Sequence, residues 1–183
     1  MKKIVREIWD PIFDFYVMRL GQKGEIIFFV IVPIIMGTSA YIIGSINRIH
    51  YSVSLNEFYN DILNQLITVI ALFVTFCMAY LSILLTSSSK NVDELKSTKS
   101  ESYKLKGISC SLYQVNANEV TYVLLSEIFF MIFVFFQKMI SPITLISFIQ
   151  KVLLCIDIAI FIHILLVMLV VVKNMYFSFW RSK

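Results

Sequence analysis

Four long apolar segments dominate this sequence and limit what it can fold into. They are Ile26–Ile46, Leu63–Thr86, Val120–Gln137 and Val152–Val172. A helix of about 20 apolar residues is long enough to cross the ~30 Å hydrocarbon core of a bilayer. The chain is 58% hydrophobic and 15% charged, whereas soluble domains carry about 25% charged residues. We therefore predict an all-α integral membrane protein with four transmembrane helices in two hairpins.

The polar stretches around these segments set the predicted domain boundaries. A lysine-rich interval separates the two hairpins. The first part of this interval, Lys90–Lys106, has a helix-compatible pattern. The predicted units are an N-terminal amphipathic helix over 1–24, a transmembrane hairpin over 25–86, a cytoplasmic basic interval over 87–119, a second transmembrane hairpin over 120–172 and a cytoplasmic tail over 173–183.

The N-terminal helix has the pattern of a helix that lies in the membrane interface. Apolar residues, among them Ile8, Trp9 and Phe13, recur at helical spacing, and charged residues such as Glu7 and Asp10 lie largely opposite them. An amphipathic helix of this kind buries its aromatic face in the headgroup region. The alternative is a helix that packs on other protein.

Two residues interrupt the first apolar segment. Pro33 removes a backbone donor, which a spanning helix tolerates when a neighbour satisfies the carbonyl that loses its partner. Gly37, Ala40 and Gly44 place small residues along part of the same helix, a pattern that favours close approach of a second helix.

The distribution of basic residues predicts the orientation. With four spans, the two termini and the central interval share one side and hold 13 of the 16 lysines and arginines; the other side keeps Arg48, Lys138 and Lys151. Basic residues remain on the cytoplasmic side. Both termini and the interval are therefore predicted to be cytoplasmic, in the inner membrane of a bacterium.

Three ionisable residues fall inside the predicted spans: Glu127, Asp157 and His163. Ionisable groups at this depth are costly and face a bundle interior, water or a partner. Glu127 and His163 lie at similar depths on adjacent antiparallel helices, which allows a hydrogen bond between them. For Asp157 no partner within one chain is evident.

These three residues have a functional and a structural interpretation. They could form a polar path or a protonation-sensitive latch, in which His163 titrates near neutral pH. They could instead fix the register of the helices or satisfy one another across an oligomer.

The sequence carries no catalytic or metal-binding motif that we recognise. It has no glycine-rich phosphate loop, no HExxH and no nucleophile elbow. Cys77, Cys110 and Cys155 have no paired spacing, so neither a disulfide framework nor a metal site is indicated. We therefore predict a protein that is not an enzyme and needs no cofactor.

The basic interval carries the densest run of basic residues in the chain and is a candidate partner-binding site. Membrane-adjacent lysines of this kind often reflect topology alone, and direct binding of nucleic acid is not expected. The lysines concerned are Lys90, Lys96, Lys99, Lys104 and Lys106.

Two stretches give the chain a resemblance to a known family. They are LSILLTSSSKNVDELKSTKSE, where the second span runs into the lysine-rich interval, and SLYQVNANEVTYVLLSE, which enters the third span. In layout the chain resembles the small four-span subunits of bacterial phage-defence operons, in particular the transmembrane subunit of the Kiwa system. The resemblance implies an oligomeric inner-membrane protein that registers disturbance of the envelope by phage and recruits a cytoplasmic protein encoded by a neighbouring gene. It supplies no catalytic residues.

The leading hypothesis is thus a membrane sensor and scaffold that forms homo-oligomers in the lipid bilayer. The alternative is an oligomeric pore that conducts ions and depolarises the membrane, with Glu127 or Asp157 repeated around a ring. A small transporter has less support, because no inverted repeat is apparent.

Overall fold

The computed structural model describes residues 2–46, 55–140 and 147–180. In this part of the chain the fold consists of six helices and one short hairpin of two strands. In order they are α1 (Lys2–Met18), α2 (Lys23–Ile46), α3 (Leu55–Thr86), α4 (Lys90–Ser97), β1 (Lys99–Leu105), β2 (Ile108–Ser111), α5 (Leu112–Ile140) and α6 (Ser147–Trp180).

Four of the helices, α2, α3, α5 and α6, are long and apolar enough to span a membrane. The prediction of an all-α membrane protein with four transmembrane helices is confirmed. The helices are longer than the predicted spans. Helix α3 begins at Leu55 rather than at Leu63, α5 extends over Leu112–Ile140 rather than Val120–Gln137, and α6 over Ser147–Trp180 rather than Val152–Val172. The N-terminal helix, predicted over 1–24, instead ends at Met18, and α2 begins at Lys23.

Helices α5 and α6 form the centre of the bundle. They pack on each other, α3 packs on α5, and α2 packs on α6. The buried core between them is aliphatic and aromatic, with Leu63, Ile70, Val120 and Val167 all 1% exposed or less. The outward faces of the four helices remain apolar and exposed, as expected of helices that lipid solvates.

Gly37 explains how closely α2 approaches α6. A Cβ atom at this position would lie 2.5 Å from the carbonyl oxygen of Cys155 and 2.9 Å from the Cβ of Ala159. Both distances are shorter than van der Waals contact, so only a residue without a side chain fits. The predicted role of a small residue here is confirmed; the surroundings of Gly44 lie outside what the structure describes.

Between α3 and α5 the chain forms a compact unit that we call the cap, residues Lys90–Ser111. The helix predicted over Lys90–Lys106 is wrong in its second half, because α4 ends at Ser97 and β1 begins at Lys99. Lys106 and Gly107 form the turn of an antiparallel hairpin, and both have positive φ angles, 50° and 83°. The periodicity therefore changes from helical to alternating within the lysine-rich run.

Contacts with the rest of the chain stabilise the cap. A two-stranded hairpin alone is at best marginally stable in water. Here Tyr103 and Leu105 of β1, together with Cys110 of β2, pack on Met18 of α1 and Val115 of α5. In α4, Val92 is fully buried. The cap is thus a packed element rather than a linker.

Helix α1 lies against the N-terminal half of α5. Phe15 is fully buried, and its ring stacks on that of Tyr122 at a centroid distance of 3.8 Å. This is the protein-packing alternative considered for α1. A second apolar face remains exposed, however, and it continues into the turn after α1 at Leu20. We call it the α1 stripe: Trp9, Phe13, Val17 and Leu20.

Candidate functional site

Buried polar side chains occur at four levels along the α5–α6 contact. On α5 they extend from Glu119 to Gln137, about 27 Å at ~1.5 Å per residue. Each level joins α5 to neighbouring elements. The pairs that define the four levels are Arg19–Glu119, Tyr122–His163, Cys77–Glu127 and Gln137–Asp157.

His163 pairs with the backbone of α2 and not with Glu127. Its Nδ1 lies 2.8 Å from the carbonyl oxygen of Phe29. That carbonyl is the one that Pro33, four residues later, leaves without a helical donor. The other ring nitrogen, Nε2, lies 2.5 Å from the hydroxyl of Tyr122. The predicted Glu127–His163 hydrogen bond is therefore wrong, because both nitrogens of His163 are engaged elsewhere.

The partners of His163 determine its tautomer. A carbonyl oxygen can only accept, so Nδ1 carries the proton and donates it to Phe29. Nε2 then accepts from the hydroxyl of Tyr122, which itself accepts from Tyr16 of α1 at 3.0 Å. This chain of hydrogen bonds connects α1, α5, α6 and α2, and it gives His163 a structural role in holding a helix that proline interrupts.

Glu127 lies between three helices, next to a thiol. Its Oε1 is 3.7 Å from the Sγ of Cys77 on α3, and that sulfur is 3.6 Å from the Sδ of Met168 on α6. Glu127 and Cys77 are both fully buried. Oε2 of Glu127 has no hydrogen-bond partner among the described residues.

Asp157 has a partner within the chain, contrary to the sequence-based expectation. The side-chain amide of Gln137 donates to its Oδ1 at 2.8 Å, and the amide oxygen of Gln137 accepts from the hydroxyl of Tyr59 at 2.6 Å. All three side chains are buried. Since the amide uses both of its ends, this level fixes the relative positions of α3, α5 and α6.

The remaining level, nearest the N-terminus of α5, is a buried ion pair that the sequence did not reveal. Arg19, in the turn between α1 and α2, donates to the carboxylate of Glu119 on α5, and each side chain is 1% exposed. The second oxygen of Glu119 accepts from Asn174 of α6 at 2.5 Å. The pair therefore joins the N-terminal turn to both central helices.

The same arginine also contacts the first turn of α2 and the cap. Its Nε lies 3.4 Å from a carboxylate oxygen of Glu25, and that carboxylate accepts from the hydroxyl of Tyr103 of β1 at 3.1 Å and 3.2 Å. The guanidinium carbon is 3.9 Å from the ring centroid of Phe15 and 5.3 Å from that of Tyr103. We call this set the Arg19 junction: Arg19, Glu25, Tyr103, Glu119 and Asn174.

Tyr103 stays in its neutral form at the Arg19 junction. Burial, followed by the negative charge of Glu25, raises the pKa of Tyr103 from 10.0 to about 12. The phenol therefore keeps its proton, and with it the hydrogen bond to Glu25, throughout the neutral and moderately alkaline range.

Nothing in the sequence pattern marks Arg19 and Glu119 as a pair. In the sequence, Arg19 is one of many basic residues that flank a span. Glu119 is the last residue of the polar interval. They are 100 positions apart, so no local spacing connects them. The weak signal in the sequence is that each is a charged residue at the polar end of an apolar segment, where a buried ion pair can form.

The five lysines proposed to bind a partner all belong to the cap, and all are exposed. Lys90 and Lys96 lie on α4, Lys99 and Lys104 on β1, and Lys106 in the hairpin turn. The Nζ of Lys96 is 3.9 Å from Asp93 and 5.4 Å from the centroid of the Tyr113 ring. The cap thus presents these positive charges to solvent.

The geometry defines a multi-pass helical membrane protein with a small basic cap at one end of the bundle. Within residues 2–46, 55–140 and 147–180, no three His, Cys, Asp or Glu side chains come together as a metal site. Comparison of the chain with protein-family models, with curated proteins and with solved structures returned no match.

Proposed function

We propose that this protein is a non-enzymatic membrane sensor and scaffold, in which α1 responds to the bilayer and the cap recruits a partner protein. The observation that carries the proposal is the Arg19 junction. It joins the helix with an exposed apolar stripe to the strand that bears exposed lysines.

The α1 stripe is suited to contact with lipid. Phe13 and Leu20 are 64% and 65% exposed, and Trp9 and Val17 are also exposed. Apolar side chains on one face of an amphipathic helix insert at the boundary between headgroups and acyl chains, and such insertion depends on lipid composition and curvature. A disturbance of the leaflet therefore changes the position that α1 favours.

Arg19 makes such a displacement costly and transmits it. Removing one partner of a buried ion pair leaves an uncompensated charge, which costs about 3–5 kcal/mol. A shift of α1 therefore moves Glu119, Glu25 and Tyr103 together with Arg19, or it breaks the junction. Either outcome alters the support of β1 and the presentation of Lys99 and Lys104.

The exposed lysines of the cap suit a cytoplasmic protein with an acidic surface. Complementary charge speeds encounter and selects among partners. The resemblance of the sequence layout to phage-defence membrane subunits is the reason to propose a homo-oligomer in the bacterial inner membrane whose partner comes from a neighbouring gene. In this proposal envelope disturbance by phage is the stimulus, and recruitment or release of the partner is the response.

The alternative, an ion-conducting pore, receives less support from the geometry. A ring of acids shared by subunits needs carboxylates on an exposed face. Glu127 and Asp157 are instead fully buried within one chain, against Cys77 and Gln137. The test is ion flux through liposomes that contain the protein. A lower flux in the Glu127→Gln or the Asp157→Asn variant would support the pore.

The sensing step can be tested with a fluorescent reporter on the cap. The three native cysteines are changed to serine, Lys104→Cys is labelled with an environment-sensitive dye, and the protein is reconstituted in vesicles of loose or tight lipid packing. We expect the emission to differ between the two lipids. Phe13→Asp combined with Leu20→Asp should abolish the difference in emission by removing α1 from the lipid. Arg19→Met should also abolish it, but with α1 still inserted, because the junction to the cap is lost. Asp10→Asn, on an exposed polar position of α1, is the control.

The scaffold step can be tested by co-purification with the products of the neighbouring genes. Charge reversal at the cap, Lys96→Glu with Lys104→Glu, should release a bound partner and leave the homo-oligomer intact. Lys138→Glu, near the far end of α5, should retain it. A partner that stays bound after reversal at the cap, or a chain that binds none, contradicts the scaffold role.

A further inference from the structure

The thiol of Cys77 has more acceptors than it can serve. Its sulfur lies 3.7 Å from Oε1 of Glu127 and 3.6 Å from Sδ of Met168. A thiol carries one proton and is a weak donor. One of the two contacts therefore lacks a proton, although three helices converge to make both.

The surroundings increase this mismatch. Cys77 and Glu127 are fully buried, and Met168 is 7% exposed. Oε2 of Glu127 has no hydrogen-bond partner among the described residues, and a buried acceptor left unsatisfied costs about 1–3 kcal/mol. Two sulfurs and a carboxyl group thus lie together in a buried position, with one carboxyl oxygen unsatisfied, so two soft ligands and an oxygen are within reach of one ion.

We propose that Cys77, Met168 and Glu127 form a binding site for a soft monovalent cation, Cu(I) or its analogue Ag(I). Thiolate and thioether ligands select Cu(I). The sulfurs supply the two soft ligands, from α3 and α6, and the Glu127 carboxyl group completes the site from α5. Hard cations do not fit this site, because Ca²⁺ takes six to eight oxygen ligands and Mg²⁺ near-octahedral oxygen coordination.

The charges and protons of the site balance without another reactant. Binding of Cu(I) forms a bond to Cys77 Sγ and displaces the thiol proton. This proton is released to solvent, and the positive charge of Cu(I) takes its place on the sulfur. The charge of the cation and that of the thiolate cancel, so binding adds no net charge to the buried site. Copper stays in the same oxidation state throughout.

The site does not depend on the proposed sensor role. The levels on either side of it have their own partners, since His163 is engaged by Tyr122 and Phe29 and Asp157 by Gln137. Cation binding would connect α3, α5 and α6 in the middle of the bundle. The Arg19 junction lies nearer to one end of α5 and α6.

The test is a competition titration of the full chain in detergent with Cu(I), under reducing conditions and against a chromogenic Cu(I) chelator. Cys110→Ser and Cys155→Ser form the background, so that Cys77 is the one thiol left. We expect one equivalent of Cu(I) per chain. Cys77→Ser should abolish uptake, and Met168→Leu and Glu127→Gln should each weaken it by about tenfold or more, the range seen when even an indirect metal partner is removed.

Matched variants separate a built site from general thiol binding. Met175→Leu changes another partly buried methionine of α6 and should leave affinity unchanged. X-ray absorption of the Cu(I)-loaded background protein should show two sulfur neighbours, a readout that does not require any Cys77, Met168 or Glu127 variant to fold. Absence of uptake, uptake that survives Cys77→Ser, one sulfur neighbour, or equal affinity in Met168→Leu and Met175→Leu would each overturn the proposal.

Discussion

The carbonyl oxygen of Phe29 shows how one residue creates the need for another. Pro33 removes the N–H that would bond this oxygen within α2, and His163 supplies a donor from α6 at 2.8 Å. A proline in a spanning helix was expected to require such a neighbour. The identity of the neighbour could not be expected, because it depends on which face of α6 meets α2.

This relation predicts that Pro33 and His163 are energetically coupled. His163→Leu removes the donor and should destabilise the protein by about 1–3 kcal/mol, the cost of an orphaned buried acceptor. In a Pro33→Ala background the helix regains its own N–H at that carbonyl, so the same change should cost roughly 1 kcal/mol less. Unfolding of the four proteins in detergent gives the coupling energy.

The control for this cycle is the other helical proline, Pro11 in α1. Pro11→Ala should not alter the cost of His163→Leu, because the N–H that it restores lies in α1 and does not serve the carbonyl of Phe29. His163→Leu is compared in the natural background and in the Pro33→Ala background. If it lowers the free energy of unfolding equally in both, His163 acts on something other than the carbonyl of Phe29.

At the scale of elements, the approach of α2 to α6 depends on one glycine. The sequence placed Gly37 in a stripe of small residues, and the structure shows what it approaches, the Cys155 carbonyl and Ala159. Backbone atoms cannot move aside as a flexible side chain can. Even a methyl group at Gly37 therefore has to separate the two helices.

We predict that Gly37→Ala destabilises the bundle by about 1–3 kcal/mol, the usual range for overpacking. Gly24→Ala is the matched change, because a Cβ there meets nothing within 4 Å, and it should not destabilise α2. The thermal midpoints of both variants in detergent measure the difference. Equal midpoints would mean that α2 and α6 are not held together by this contact.

The cap shows why element type was harder to predict than element position. The run of lysines between Lys90 and Lys106 contains acidic residues at helical spacing, which favours one helix. Tyr103 and Leu105, however, alternate with Lys104 and bury their side chains against Met18, Cys110 and Val115. Since Met18 and Val115 belong to α1 and α5, tertiary packing determined that this stretch is a strand.

At the scale of the whole molecule, the four-span architecture brings the cap, α1 and the polar ends of α5 and α6 to one end of the bundle. Basic residues concentrate at that end, which predicts that it faces the cytoplasm. The Arg19 junction and the five exposed lysines would then act on the same side of the membrane.

This orientation predicts how single cysteines react in intact cells. In a background without the native thiols, Lys104→Cys on the cap should react with a membrane-impermeant maleimide only after the cells are opened. Met139→Cys, at the other end of α5 and 71% exposed in the fold, should react before that. The reverse pattern would invert the topology and place the lysines outside the cell.

The sequence by itself determined that the chain spans a membrane four times, because hydrocarbon length and hydrophobicity are properties of continuous segments. It also singled out Glu127, Asp157 and His163 as ionisable groups inside the spans, since such side chains are rare in these segments. Their partners were decided only by the tertiary structure. Cys77, Gln137 and the carbonyl of Phe29 lie on other helices, and rotation of each helix about its axis selects which groups meet. For the same reason the pairing of Arg19 with Glu119 depended on the fold, because it joins residues that are distant in sequence and close only when α1 packs on α5.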